Sequence, residues 1–369
     1  SFISFGKLRL SWGLTGNDQV GNYQFLNTWT SSSLTYQGTP ALQPSRLFNP
    51  GYSWEKNTKT ELGLELGFIN DRILLFTSAY RNLCGNQLVN YSLPIQTGFN
   101  TVLQNFNAEI ENKGLELSLT SKNVVQKSFS WSTVFNLTVN GNKLLSFPEI
   151  EKTPYRSIFR VGHPLSTVAV YQYLGIDPAT GINRFLDANN DGLMNQDDRI
   201  SLKNTATKFF GGISNSFYYK NIELQFLVEF RKQPGKNYLA TQGSFVPGYF
   251  YNNQPVIVLN RWQKPGDQSA VQRFVAVTAS PAFAAAQTLL NNSTAVYSDA
   301  SFIRLRNAAL TYRLPGKYST KWKLAEAAFF LQAQNLFTVT RYIGADPENQ
   351  NLYTMPPLRS IVAGFRIQL

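Results

Sequence analysis

The residues best suited to chemistry lie in one run, DANNDGLMNQDD, from Asp187 to Asp198. Side-chain oxygens of Asp187, Asn189 and Asp191 recur at every second position, the spacing that lets a tight loop turn them toward one hard cation. Gly192 permits the sharp turn, Leu193 would offer its backbone carbonyl, and Asn195 and Asp198 could complete the shell. The ion expected is Ca2+. Asp198 stands where calcium loops usually carry Glu, so its bidentate reach is shorter and the affinity weaker. The flanks read as loop or strand, which suits a structural loop rather than the helix pair of a sensor. The competing reading is an Asx-rich turn that holds no metal.

Other chemistry finds little support. His163 is the only histidine and sits in Gly162-His163-Pro164 with no nucleophile signature beside it, so it reads as a turn residue. Cys84 is the only cysteine and reads as a neutral packed or rim thiol. Glu61, Glu65, Glu116, Glu223 and Glu229 could suggest paired carboxylates of a glycosidase. They recur on the polar positions of several alternating runs, which fits a solvated, ion-paired wall better. Lys7, Arg9, Arg304 and Arg306 are their candidate partners, or contacts for a solute. Phe245, Tyr249, Phe250 and Tyr251 cluster around Pro247-Gly248, where they could stack on a glycan or pack within their own loop. No catalytic residues and no enzymatic activity are expected.

The elements that would position these residues follow from composition. Of 369 residues, 15% are charged and 14% aromatic. The first figure is well below the roughly 25% of soluble domains, and together they exclude a disordered chain. One cysteine excludes a disulfide scaffold. The apolar run Ala282 to Ala286 is far short of the ~18–20 residues of a spanning helix. The net charge is +12, but the basic residues form no stripe or arm, so nucleic acid is not the expected partner. Contact with anionic lipid, a lumen for anionic solutes, or a mild excess spread over loops all remain open.

Period-two alternation recurs along the chain. Leu8, Leu10, Trp12 and Leu14 alternate with Lys7, Arg9, Ser11 and Gly13; Leu62, Leu64, Leu66 and Phe68 with Glu61, Gly63, Glu65 and Gly67. Leu74, Phe76 and Tyr80 share a face, as do Leu115, Leu117 and Leu119, then Phe129 to Val139, and Ile222 to Phe230 at every second residue. With further runs at 208–219, 300–312, 326–336 and 361–369, ten strands are predicted and no helix. The links alternate short and long: Asn70-Asp71, 122–127, Lys220-Asn221 and Leu314-Pro315-Gly316 against about 15–55, 84–108, 140–207, 231–299 and 337–360. Outer-membrane barrels alternate this way, with short periplasmic turns and long outer loops. Trp12, Tyr80, Trp131, Tyr218, Tyr219, Trp322 and Phe329 are the expected interface aromatics. A ten-strand barrel would fill its own lumen with side chains. A segment of a larger barrel, whose edges pair with strands outside the chain, is favoured. Ser1 to Phe5 opens almost at once into a strand, so an export leader is expected outside this sequence.

With those elements placed, particular stretches carry a family likeness. LRLSWGLTGNDQVGNYQFL (Leu8 to Leu26) and NPGYSWEKNTKTELGLELGFINDRI (Asn49 to Ile73) resemble stretches of SusC/RagA-type TonB-dependent transporters of Bacteroidota. IENKGLELSL, GHPLSTVAVYQYLGIDPATG, FLDANNDGLMNQDDRI, KFFGGISNSFYYKNIEL, SFIRLRNAALTYRLP and QNLFTVTRYIGADPE are similar in order and spacing to further ones. The resemblance implies an all-β, 22-stranded transmembrane antiparallel barrel, with residues 1–369 as the C-terminal part of that one domain. The calcium-loop insertion would lie at about 180–200, and the plug domain outside this chain. It also implies TonB-dependent import of a large solute, glycan or peptide, across the outer membrane. Its partners would be a SusD-like surface lipoprotein, TonB and outer-membrane lipid. The alternative is a structural subunit of a larger outer-membrane assembly built on the same barrel.

Overall fold

The computed structural model describes residues 2–17, 26–47, 49, 51–241, 247–248, 253–254, 256–275, 281–351 and 354–368. Ten strands form one antiparallel sheet, each beside its predecessor in the chain. They are β1 (Ile3–Asn17), β2 (Glu55–Phe68), β3 (Ile73–Gly85), β4 (Glu109–Val125), β5 (Phe129–Ser146), β6 (Phe209–Tyr219), β7 (Ile222–Lys232), β8 (Phe302–Arg313), β9 (Glu326–Thr340) and β10 (Ser360–Gln368). All ten coincide with predicted strands.

The register turns alternation within strands into rows across them. Leu8, Leu64, Thr77, Leu117, Leu137, Gly211, Phe230, Ile303 and Val339 stand side by side across nine strands. One row closer to the short links run Leu66, Leu75, Leu119, Phe135, Ile213, Val228, Leu305 and Phe337. Between them, on the opposite face, lie Lys7, Glu65, Phe76, Ser118, Asn136, Gly212, Glu229, Arg304 and Thr338. One face is therefore apolar in continuous bands and the other polar. Among the described residues nothing covers the apolar face: Leu115, Ile303 and Leu310, on interior strands, keep 44%, 49% and 43% of their surface exposed. A soluble sandwich would cover such a face; a bilayer solvates it. Outward positions stay largely apolar from Phe129 to Val139, eleven residues whose ten rises span about 25 Å at a ~40° tilt, the height of a hydrocarbon belt.

Polar residues on the outward face bond one another. Trp131 Nε1 and Thr133 Oγ1 donate to Asn215 Oδ1 at 2.9 and 2.7 Å, Asn123 Nδ2 to Thr133 Oγ1 at 2.8 Å, and Ser121 Oγ to Asn123 Oδ1 at 2.7 Å. A lipid environment offers no substitute partners, so a closed chain of donors and acceptors is what makes this patch tolerable.

Links of 69–72, 126–128 and 220–221 join strand ends on one side, and Ile69, Asn70, Asp71 and Lys220 supply the positive φ that such tight turns need. The links on the other side are long and carry structure of their own. Within 147–208 and 233–301, Tyr171 pairs with Ser293, and the N–H of Arg273 donates to the Gly181 carbonyl at 3.0 Å. Val170, Tyr171, Val258, Val271, Phe283, Leu290 and Val296 are each buried within these links, outside the sheet.

Three features depart from expectation. Two helices are present, α1 (Pro281–Leu290) and α2 (Gly316–Lys321), where no helical period was read. Pro281 occupies the first position of α1, where its missing N–H costs nothing, and Phe283, Ala286 and Leu290 bury one side. Leu74, Phe76 and Tyr80 do share a face, but it is the polar one. Tyr80 lies over Gly114, its cross-strand neighbour, where an added Cβ would meet the ring at 2.6 Å. Tyr218 also faces inward, accepting from Gln225 Nε2 at 3.3 Å. The expected aromatic girdle therefore loses Tyr80 and Tyr218, while Trp131, Tyr219 and Phe329 keep their outward places near the short links.

Candidate functional site

The inward face concentrates its charge where β7, β8 and β9 meet. The register shift at Leu305 changes the outward phase of β8 from Ile303 and Leu305 to Ala308, Leu310 and Tyr312. It leaves Arg304 and Arg306 inward, above Glu229. Arg304 is 1% exposed, the largest fully buried side chain among the described residues. Its guanidinium donates to Thr338 Oγ1 at 2.8 Å, to Glu348 Oε2 at 2.8 Å and to Asp346 Oδ2, and it lies 5.0 Å from the Phe302 ring centre. Arg306 donates to Glu348 Oε1 at 2.6 Å and to Glu229 Oε2. Arg231 Nη2 reaches Glu229 Oε1 at 3.4 Å. Three guanidinium groups thus share three carboxylates, with every charge matched inside a low-dielectric wall.

This network fixes the link after β9. Asp346 Oδ1 accepts the N–H groups of Glu348 and Asn349 at 2.9 and 3.1 Å, and Gln233 Nε2 donates to the Pro347 carbonyl at 2.7 Å. Residues 346–348 therefore fold back onto the inner wall instead of standing clear of it. Sequence reasoning named both arginines but missed Asp346 and Glu348. The available signal was an acid pair two residues apart, just beyond a strand whose neighbour carries two inward arginines. A polar cavity of about 320 Å3 lies alongside, lined by Arg304, Thr338, Thr340, Asp346 and Arg359.

Elsewhere on this face Glu61, Glu65 and Glu223 also find partners, and Glu116 stands inward between Ser78 and Thr138. Arg9 and Lys7 lie 3.4 and 3.5 Å from Glu65, with Arg9 over the Phe76 ring. Ser78 Oγ donates to Glu61 Oε1 at 2.8 Å, and Arg313 Nη2 to Glu223 Oε2 at 2.6 Å. These contacts run along the wall, as ion pairs and one Ser–Glu hydrogen bond. His163 is an exposed turn residue whose carbonyl accepts the Leu144 N–H at 2.9 Å. Asn112 Nδ2 lies 3.8 Å from the free Cys84 Sγ. Phe245, Tyr249, Phe250 and Tyr251 lie outside the described residues.

The acidic run from Asp187 to Asp198 forms a compact loop. Asp187 Oδ2 accepts the Gly192 N–H at 2.8 Å, Asn189 Oδ1 the Asp191 N–H at 3.2 Å, and Asp191 Oδ1 the Leu193 N–H at 2.7 Å. Asn190 and Gly192 take positive φ of 57° and 78°. Asp198 is fully buried: its Oδ1 accepts from the Ala188 N–H at 2.8 Å and its Oδ2 from the Asn195 N–H at 2.9 Å. The N–H groups of Asn195 and Ala188 hold its carboxyl below the usual carboxylate range. Asn195 Oδ1 accepts the Asp197 N–H at 2.7 Å and caps a short 3-10 turn, Gln196–Asp198. The loop brings together Asp187 with Gly192, Asn189 with Asp191 and Leu193, and Asn195 with Asp198. Among the described residues, no three acidic, His or Cys side chains are gathered for a metal ion. One oxygen, Asp187 Oδ1, is buried without a hydrogen-bond partner.

No protein-family model matches the chain. It is 27% identical over 381 residues to TonB-dependent receptor P3 of Formosa agariphila, covering 94% of this chain and 36% of that protein. It is 25% identical over 373 residues to TonB-dependent receptor SusC of Bacteroides thetaiotaomicron, covering 93% of this chain and 35% of that protein. The chain thus spans little more than a third of the length of these relatives. Among solved structures it is similar to the RagAB peptide importer in the "open-open" state. That likeness has a TM-score of 0.78 and 25% identity over 100% of this chain and 40% of the other. The "closed-closed" state gives the same score and identity, over 41% of that chain.

Proposed function

Because this chain is of the SusC/RagA type of TonB-dependent receptor, we propose that it forms part of the barrel wall of an outer-membrane importer for a large solute, peptide or glycan. The observation that carries this reading is the two-faced sheet, with apolar bands outward and a charge-matched polar wall inward. Such a wall lines a passage; it does no chemistry on what passes. The open sides of β1 and β10 pair with other strands of the barrel, since hydrocarbon tolerates no unpaired backbone. TonB drives the passage, and a SusD-like lipoprotein covers the outer mouth. The RagAB importer is described as taking peptides, which makes a labelled oligopeptide pool the first solute to try, beside an oligosaccharide pool. Uptake of one pool by whole cells should fall on deletion of the gene and on collapse of the proton gradient by a protonophore. Unchanged uptake, with loss of an outer-membrane complex instead, would favour the scaffold role.

The same reading gives the Asp187–Asp198 loop a structural Ca2+, supported by the unpartnered Asp187 Oδ1. Asp187, Asn189, Asp191, the Leu193 carbonyl, Asn195 and Asp198 would hold it, and the ion would relieve the mutual repulsion of the carboxylates while pinning an outer loop.

A further inference from the structure

The outward face changes character abruptly at its upper boundary. Toward the long links, outward positions at the edge of the apolar band are Arg81 in β3, with Leu83 beyond it, Lys113 in β4 and Lys232 in β7, and Arg341 follows just beyond β9. Arg81 and Lys113 are both neutralised by Glu111, the next outward residue of β4, at 2.6 and 3.3 Å, which leaves the β7–β9 end as the basic stretch. At the β7–β9 end this boundary is also concave. A groove of about 490 Å3 has Phe209, Phe230, Ile303 and Val339 in its floor and Lys232, Arg341, Arg231 and one acid, Asp299, around its rim. Phe209 and Lys232 are direct cross-strand partners, so floor and rim meet within one register step. Lys232 Nζ is held 2.7 Å from Asp299 Oδ2; Arg341 is exposed and has no ion pair among the described residues.

We infer that this groove holds an outer-leaflet lipid, its acyl chain on the Phe209–Phe230–Ile303–Val339 floor and its phosphate headgroup between Lys232 and Arg341. A free anion would use the rim and leave the aromatic floor uncovered; a neutral amphiphile would use the floor and leave Arg341 unpaired. An apolar chain joined to an anionic headgroup satisfies both, and in a bilayer that headgroup charge is chiefly phosphate. Long basic side chains suit this boundary because their stems lie along apolar surface while their heads reach headgroup level. The inference rests on the proposed membrane-wall role.

The test uses the whole protein purified from outer membranes in mild detergent. Native mass spectrometry counts retained phosphatidic acid against phosphatidylcholine of the same chains, each added alone. A preference of about tenfold for phosphatidic acid is expected, the order two interfacial cations confer. It should shrink to within about twofold in Lys232→Gln/Arg341→Gln and survive in the charge-keeping Lys232→Arg/Arg341→Lys. Equal retention of both lipids by the wild type, or an undiminished preference in the Gln variant, overturns the site. Displacement by millimolar inorganic phosphate would mean a free-anion site, and overturns the lipid assignment. Heat-modifiable migration on gels, read in parallel, shows whether each variant is a folded barrel. A folded, membrane-extracted protein without lipid preference defeats this inference alone, whereas a protein absent from the outer membrane defeats the wall reading beneath it.

Discussion

Arg304 shows how one side chain can hold a loop to a wall. Removing one partner of a buried charge pair costs far more than the pair contributes, because the survivor stays buried and uncompensated. Arg304→Ala should therefore cost about 3–5 kcal/mol and free residues 341–351, measured by denaturant unfolding with hydrogen exchange over that segment. Asp346→Ala should free the same segment while leaving the 147–208 link as protected as before. A second residue-scale expectation concerns acid. The hydrogen-bonded ammonium of Lys232 and the hydroxyl of Ser301 bring the Asp299 carboxyl down to about 2. A carboxyl lowered in the folded state contributes stability that is complete above its ordinary value near 3.8 and lost as pH falls toward 2. Proteolytic nicking of the 233–301 link should accordingly rise between those limits and be flat above them. In Asp299→Asn that acid-linked rise should vanish. The two arginines were legible in the sequence because they alternate with apolar residues of β8. Their carboxylates were not, since Asp346 lies 42 residues away and reaches Arg304 only through the fold of a link.

At the scale of elements, alternation was legible because each strand has two unlike faces, and the period of two reports that directly. Helix α1 was not. Its sequence PAFAAAQTLL is almost uniformly small and apolar, so little polar face marks a period of 3.6, and only burial within the long links selects Phe283 and Leu290. The inward place of Phe76 and Tyr80 was hidden for a related reason. β3 carries apolar residues on both faces, and only pairing to Glu65 and Gly114 fixes which is which. Substitution checks the assignment. Leu64→Arg should cost about 2–4 kcal/mol in a folding assay near mid-bilayer, and Glu65→Gln far less. The acidic loop gives an element-scale expectation too. Hydrogen exchange over residues 180–200 should quicken with a chelator, and Asp187→Ala with Asp191→Ala should mimic that effect while the strands stay protected. Identical protection with and without chelator would leave only the network of Asx turns.

For the molecule as a whole, the alternation of short and long links assigns two sides to a membrane. Asn70 sits in a short link and should lie in the periplasm, while 147–208 and 233–301 lie outside. A cysteine placed at Asn70 in a Cys84→Ser background should resist an impermeant thiol reagent on intact cells and react after the outer membrane is permeabilised. Ready labelling of intact cells would invert the topology. That every strand neighbours its predecessor has a further consequence, for the order in which the wall is built. Closing a flexible loop costs entropy that grows with the logarithm of its length, so each halving of a link spares about 0.6 kcal/mol. The turn of two residues at Lys220-Asn221 and the turns at 69–72 and 126–128 should close first, giving β6–β7, β2–β3 and β4–β5 as early hairpins. Their assembly into a sheet must wait for links of tens of residues to find their ends. The nascent wall therefore passes through a stage of separate two-stranded ribbons, each with exposed edges and an apolar side, and it is during that stage that the chain most needs a chaperone's cover.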